Sequence, residues 1–573
     1  RGNSTADARN AARTTLSKLA ASAKPAGASD YQALTAGTMS WWRSFWEKTA
    51  AVHTPDEDLQ LLYYLGIYKL GCVSVPGRPA ATLQGPWIED HRLPPYSNDY
   101  HFNVNVQEMH WPAFASNHLE TLEPLWALLK SWRPRMKQMA RRFAGVEDGL
   151  QLPHAADDRC VAMGGIWSID HASTAWTAQL AWLYWKYSGD TSFLCETAYP
   201  LMKGAMRVYE AMLEDDGERL CLPLNFSSEF GYSFVEATGK NPSYQLAMIN
   251  FLCRALLEVS GQRGLTATAK ETARWKEIIA RLPVVTASAR RESKNPWALL
   301  GPYGFTAQLD KDEKTRLSPA ELRELNPPPC WMGKEIDPAA INGAGEILLW
   351  EGQPLRESHR HHSHLAGIYP LDVLDFYPDG KHYALVYNAI RNHALQGMGT
   401  WSGWCISWAS IIHARLRNGG MAALLLNILR RGFMRTGYAT THDPVFPGFT
   451  DDNQRNFMQL DAALGAAAAV LEMLAHTAQG AIRIFPAVPA GWQSASFAGI
   501  RCEGGLLVSG KMENGRVLRV ELSAESDGRH RLENPFKGRG AIACYARGKV
   551  VKCGGDLEFI DLAVAAGDKI EIK

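Results

Sequence analysis

Chemistry that moves protons and fixes hydroxyl groups needs carboxyls, amides and imidazoles held together, and this chain offers them in four short segments. The first is His101-Phe102-Asn103-Val104-Asn105. In an extended backbone alternate residues share a face, so His101, Asn103 and Asn105 would all point into one cavity, where amides can fix a sugar hydroxyl or hold a water. The second is Asn225-Phe226-Ser227-Ser228-Glu229-Phe230. Aromatic surroundings disfavour an ionised carboxyl, so Glu229 is expected to carry a raised pKa, as a general acid at neutral pH requires. The third is His359-Arg360-His361-His362-Ser363-His364, and the fourth is Asp461 in NFMQLDAALG, either a reacting carboxylate or a helix cap.

Around the first segment, residues 83–113 crowd Trp87, Glu89, Tyr96, Tyr100, His101, Asn103, Asn105, Glu108 and Trp111 beside the turn-forming pair Pro94-Pro95. Amides and imidazoles bury well only when hydrogen-bonded, and aromatic faces suit a rigid ring with axial C–H bonds. The natural partner of that mixture is a sugar; the bland alternative is a polar surface loop.

Other chemistries have weaker support. Four imidazoles in six residues could ligate zinc, but closely spaced neighbours seldom converge on one ion, and no HExxH or acidic ligand set accompanies them. No metal and no organic cofactor is expected. There is no GxSxG elbow, and no phosphate-loop or dinucleotide fingerprint.

Sixty basic and fifty-nine acidic residues leave a net charge of +1, so a neutral carbohydrate fits better than nucleic acid or a membrane surface. Nineteen tryptophans tilt the balance further toward sugar stacking. The ten cysteines form no CxxC pair and read as buried thiols, with Cys544 and Cys553 the one pair that neighbouring strands could bridge. Arg1 is not a natural start, so the chain reads as a mature or trimmed form. A secreted or periplasmic location is favoured over a cytoplasmic one.

Positioning these groups falls to a long helical region. Residues 1–30 look like a linker with one helix. Between 31 and 478, apolar residues recur at helical spacing in EDLQLLYYLGIYKLG, STAWTAQLAWLYWKYSG, SYQLAMINFLCRALLEVSG, WCISWASIIHARLRNGG and DAALGAAAAVLEMLAHTA. The run from Ala462 to Ala475 is broken by Glu472 and reads as a buried helix, too short to span a bilayer. Residues 290–340, with Pro327-Pro328-Pro329, look like an excursion from this core. Many helices with chemistry in their connections suggest a toroid of helical hairpins. From 479 to 573 short alternating runs predict an all-β domain, with Glu513-Asn514-Gly515 marking a hairpin.

Taken together, these segments resemble glycoside hydrolase family 95, the inverting α-L-fucosidases and their α-L-galactosidase relatives. LQGPWIEDHRLPPYSNDYHFNVNVQEMHWPA is similar to that family's LQGxWNxxxNPPW…NIN…EMNYWPA block, and HRHHSHLAGIYP to its HRHLSHLYGLYP. TWSGWCISWASIIHARL resembles WSxAWxxxxxARL, and NFMQLDAALGAAAAVLEML…IRIFPAVPAGW resembles FQIDGNFGxxAAIxEML…LLPALPxxW. The likeness covers residues 31 to 500 in order.

The resemblance implies an (α/α)6 barrel followed by a β-domain, and an exo-acting hydrolase of α-L-fucosides at oligo- or polysaccharide ends. It places Glu229 on the catalytic acid, Asp461 on the base, Asn103 and Asn105 on the amides that position the attacking water, and His101 and His361 on the sugar-binding histidines. His359, Trp87 and Trp401 complete the expected substrate-binding set. Inversion would need the two carboxyls about 6.5–9.5 Å apart, with a water between. This chain departs from the family at Asp461-Ala462-Ala463-Leu464-Gly465, where the pattern has Asp-Gly-Asn-Phe-Gly, at Ser228, where it has Pro, and at His362. The alternatives are an α-L-galactosidase or related glycosidase, a glycoside phosphorylase on the same barrel, and a carbohydrate-binding scaffold without turnover.

Overall fold

Helical periodicity in the sequence becomes helices wherever caps and packing agree. The computed structural model describes residues 28–88, 91, 93–163, 170–231, 234–262, 264–289, 330–335, 337–446, 457–536, 542–546, 548–554 and 557–573. The linker helix expected before residue 27, Glu89, and most of the 290–340 excursion lie outside the described residues.

The chain divides at Thr49 into two units. The first contains α1 (Ala28–Lys48), along which Trp42 and Trp46 stack at 6.0 Å. The second holds α2 (Glu57–Val73), α3 (Asn105–Ala115), α4 (Glu123–Ala144), α5 (Ala172–Ser188), α6 (Tyr199–Met212), α7 (Ser243–Val259) and α8 (Ala269–Arg281). It continues with α9 (Tyr383–Gln396), α10 (Gly403–Arg415), α11 (Gly419–Gly432) and α12 (Leu460–Leu474). These build the (α/α)6 barrel. Among the described residues no helix is long and apolar enough to cross a membrane.

α12 is the central staff: every residue but Glu472 is buried, and it packs against α2, α3 and α10. Small side chains make that approach possible. A Cβ on Gly66 of α2 would stand 2.6 Å from both the Ala463 carbonyl oxygen and the Ala467 Cβ, so the two helices meet backbone to backbone. The helix ends at Leu474, about one turn before the end of the DAALGAAAAVLEMLAHTA block. Ala475–Ala478 leaves it as strand β2, because it pairs with β3 (Ala481–Ile484) across a Gln479-Gly480 turn at positive φ.

β1 (Ala51–His53) lies before the barrel helices in sequence, yet pairs antiparallel with β4 (Ser494–Cys502), Val52 opposite Phe497. The strands that follow β4 are β5 (Leu506–Glu513), β6 (Arg516–Ala524), β7 (Gly528–Glu533), β8 (Ile542–Ala546), β9 (Lys549–Gly554), β10 (Phe559–Val564) and β11 (Lys569–Ile572). They form a seven-stranded sheet in the order β1-β4-β5-β6-β11-β8-β9 and a four-stranded sheet in the order β2-β3-β7-β10. The hairpin expected at Glu513-Asn514-Gly515 joins β5 to β6, with Asn514 and Gly515 both at positive φ. Cys544 is buried. Its register partner is Lys552, while Cys553 stands opposite Ala543.

Candidate active site

The starts of three helices meet at one cavity of about 290 Å³, at the lower end of the ~300–1,000 Å³ typical of small-molecule sites. α3 brings Asn105, α10 brings Trp404, and Gln459 stands at the entry to α12. Connections supply the rest of the wall, including Tyr96, His101, His154, Glu229, Arg360, His361 and His442.

Asn103 and Asn105 reach two different carboxyls. Asn103 Nδ2 donates to Oε1 of Glu229 at 2.8 Å, and Asn105 Nδ2 donates to Oδ2 of Asp461. The extended backbone expected for His101 to Asn105 is not what aligns them. The strand stops at His101, Phe102 to Val104 form a turn, and Asn105 opens α3. A turn followed by a helix start splays the two amides apart, so each serves its own carboxyl.

Glu229 sits in a turn after the two-residue strand Asn225–Phe226, at φ +56°, a left-handed conformation that costs energy in a residue other than glycine. His359 holds the turn: its Nε2–H donates to the Glu229 carbonyl oxygen at 3.1 Å, its ring stacks on Phe230 at 3.8 Å, and its Nδ1 accepts the His361 N–H at 3.0 Å. With Nδ1 accepting and burial pressing its pKa down to about 3, this imidazole is neutral.

The carboxylate of Glu229 is surrounded by donors. His154 Nε2 lies 3.1 Å from Oε1, while His361 Nε2, at 2.9 Å, and the Arg360 guanidinium share Oε2. Burial alone would raise its pKa, but His361, Arg360 and His154 outweigh that and hold it well below the usual carboxylate range. The raised value expected from the flanking aromatics is therefore corrected: Phe230 turns to His359, and cationic and N–H groups, not rings, face the carboxyl.

Asp461 is the opposite case. It is fully buried, and burial pushes it up to about 6 against the opposing pull of Asn105 and the Ala462 N–H at 2.8 Å. It is not a helix cap, because Gln459 occupies that position and Asp461 lies inside the first turn, turned toward Asn105. Glu108, one turn along α3 from Asn105, is a second buried carboxyl without a hydrogen-bond partner, raised by burial and then by the Asp461 charge.

Of the expected substrate-binding residues, His101 and His361 line the cavity. His101 is oriented by Asp99, whose carboxylate holds its Nδ1. His359 supports the turn from behind. The Trp401 indole is buried between His362 and His393, at 4.7 and 5.2 Å, and Trp404, at the start of α10, lines the cavity. Trp87 is 41% exposed and outside the cavity wall. The histidine cluster also divides. His362 and His393 bond to each other at 2.9 Å inside the core, where the His362 Nε2–H is satisfied by the Cys405 carbonyl.

Sequence reasoning missed His154 and His442, whose segments carry no distinctive spacing; it named Tyr96 only as one of a crowded stretch, gave Trp404 no role within its motif, and overlooked the role of Arg360 between its histidines. His101, His154 and Glu229 do offer three potential ligand atoms within 4.8 Å of one another. Yet Oε1 of Glu229 already accepts from Asn103 and faces His154, and the Arg360 cation sits on Oε2, so an ion there would meet hydrogens and a like charge.

Comparison with known proteins identifies the family. The chain is 24% identical over 515 residues to the protein named Probable alpha-fucosidase A of Aspergillus niger, covering 84% of this chain and 56% of that protein. It is 25% identical over 523 residues to Alpha-L-fucosidase 2 of Arabidopsis thaliana, covering 88% and 53%. It thus spans about half the length of the curated relatives it matches. A solved structure from the human microbiome, provisionally assigned as a kojibiose phosphorylase, shares the fold at a TM-score of 0.57 and 12% identity, covering 99% of this chain and 73% of that one. The model of the glycosyl hydrolase family 95 catalytic domain matches residues 35–293 and 331–474, and that of the family's C-terminal domain matches residues 476–569. This chain belongs to glycoside hydrolase family 95.

Proposed function

We propose that the chain is the catalytic portion of an inverting exo-glycosidase that removes terminal α-L-fucosyl residues from oligo- or polysaccharides. The observation that carries this reading is the division of labour between Asn103 and Asn105, each tied to a different buried carboxyl at one cavity. The names of the Aspergillus niger and Arabidopsis thaliana relatives support the choice of sugar.

In this mechanism Glu229 gives a proton to the glycosidic oxygen as the bond to the anomeric carbon breaks, and a water attacks that carbon from the opposite face. Asn105 lines the cavity while Asp461 does not. The amide, its Nδ2 committed to Asp461, therefore presents Oδ1 to the water: Oδ1 takes up the water's proton as Nδ2 passes one of its own to Asp461, which ends protonated beside the imidic-acid form of Asn105. A base raised to about 6 is ionised at neutral pH yet basic enough for that task. Glu229 needs the converse change, from the carboxylate of the free site to the acid. A sugar that displaces Arg360 and excludes water supplies it, because both changes favour the neutral form.

A hydrolysis screen with aryl α-L-fucoside, aryl α-L-galactoside and fucosylated oligosaccharides, following the released anomer by proton NMR, tests the reading. Release of β-L-fucose supports it. Release of the α-anomer removes the inverting mechanism, and turnover of the galactoside alone moves the specificity.

A further inference from the structure

We infer that Tyr96 is the platform on which the leaving-group sugar stacks, and that a pinned left-handed turn exists to hold it at the mouth of the cavity. This inference rests on the hydrolase reading above.

Tyr96, Ser97 and Asn98 take φ of +52°, +55° and +51° in succession, with ψ of +25° and +17° at the first two. Three consecutive left-handed residues without a glycine are rare, because each brings Cβ against its own carbonyl, and only asparagine tolerates this readily. Such a segment persists where its surroundings hold it. Here the Asn98 side chain does so: Oδ1 accepts the Gln84 N–H at 2.8 Å, and Nδ2 donates to the Gly85 carbonyl at 3.2 Å. Backbone bonds from Ser97 N to Pro94 O and from Asp99 N to Tyr96 O close the turn on both sides.

The turn places the Tyr96 ring against His101 at 5.4 Å, Phe457 at 5.7 Å and His442 at 6.1 Å. Two of these contacts are edge-on, so the ring is buttressed at a fixed angle. It lines the cavity yet remains 39% exposed, whereas Glu229 and Asp461 lie in the buried interior. A ring fixed at the opening stands on the side from which a glycan enters and the leaving group departs. An aromatic surface there suits the C–H face of the next sugar in the chain. Tyr96 is therefore a specificity-determining residue, and Asn98 is a positioning residue that acts through it.

The test compares two donors on the same protein, α-L-fucosyl fluoride, whose leaving group needs no sugar site, and a fucosylated oligosaccharide. The readout is the ratio of kcat/KM for oligosaccharide to kcat/KM for fluoride. Tyr96→Ala and Tyr96→Leu are expected to lower it by about tenfold, the scale of one lost aromatic contact. Tyr96→Phe is expected to hold the ratio, and Asn98→Ala to lower it in the same direction. A general folding defect lowers both efficiencies and leaves the ratio alone. An unaltered ratio in Tyr96→Ala and Tyr96→Leu overturns the assignment of Tyr96, and an unaltered ratio in Asn98→Ala alone overturns the role of the pin. Wild-type protein that turns over neither donor removes the hydrolase reading itself, and this inference with it.

Discussion

Arg360 caps Glu229. Its guanidinium pairs with Oε2, the same oxygen that His361 approaches, and so the candidate acid of the free site is held as a carboxylate. Because the pairing favours the charged form, the protonated fraction of Glu229 falls as pH rises through its depressed pKa. Arg360→Gln removes the cation and raises that pKa; since Asp461, at about 6, sets the alkaline limb of the kcat/KM profile, the limb expected to move to higher pH is the acid one. An unmoved or acid-shifted limb would mean that Arg360 does not set the protonation of Glu229.

Removing either carboxyl should stop the chemistry without dismantling the barrel. Glu229→Gln and Asp461→Asn are each expected to lower kcat by at least about a hundredfold, the usual contribution of a general acid or base. Near-normal turnover in either variant takes that residue out of its role.

Gly465 and Glu108 share one space. A Cβ on Gly465 would stand 2.0 Å from Oε1 of Glu108, itself buried and without a hydrogen-bond partner. Gly465→Ala is expected to cost about 1–3 kcal/mol by overpacking. Glu108→Met, which replaces a buried carboxyl with an apolar chain of similar length, is expected to be neutral or stabilising. Denaturant unfolding of both variants reads the two signs, and a strongly destabilised Glu108→Met would show that the carboxyl has a partner it needs.

Acid should weaken this fold through its buried imidazoles. Burial holds His364 down to about 3 and His413 down to about 4, and keeps His362 and His393 well below the ordinary range. The unfolded chain protonates each near 6.5, so below that pH it binds protons that the folded chain refuses. Stability should fall by up to about 1.4 kcal/mol per pH unit for each such histidine. His364→Phe is expected to flatten the dependence of the thermal midpoint between pH 7 and about pH 4. An equally steep slope in the variant would exclude His364 as a contributor.

Local order was legible in the amino-acid sequence. The helical runs, the Asn514-Gly515 hairpin and the β-rich tail follow from spacing and turn chemistry that act over a few residues. The chemical segments were legible too, because an Asn-x-Asn pair, a carboxyl between aromatics and an Asp opening an apolar helix are unusual where they stand. Neighbours distant in the chain were not. That Asn103 reaches Glu229 across 126 positions and Asn105 reaches Asp461 across 356 depends on helix starts converging at one cavity. The state of Glu229 was misjudged from Phe226 and Phe230 for the same reason: Arg360, His361 and His154 arrive from elsewhere and reverse the effect of burial. Trp401 and Trp404 are equally plausible by type, and only the tertiary structure sets Trp404, at the start of α10, in the cavity wall. Sequence alone determined what each segment can do, since propensity and side-chain chemistry are local. Tertiary structure decided which groups meet and in what charge state, since electrostatics and packing act through space between segments that the chain keeps far apart.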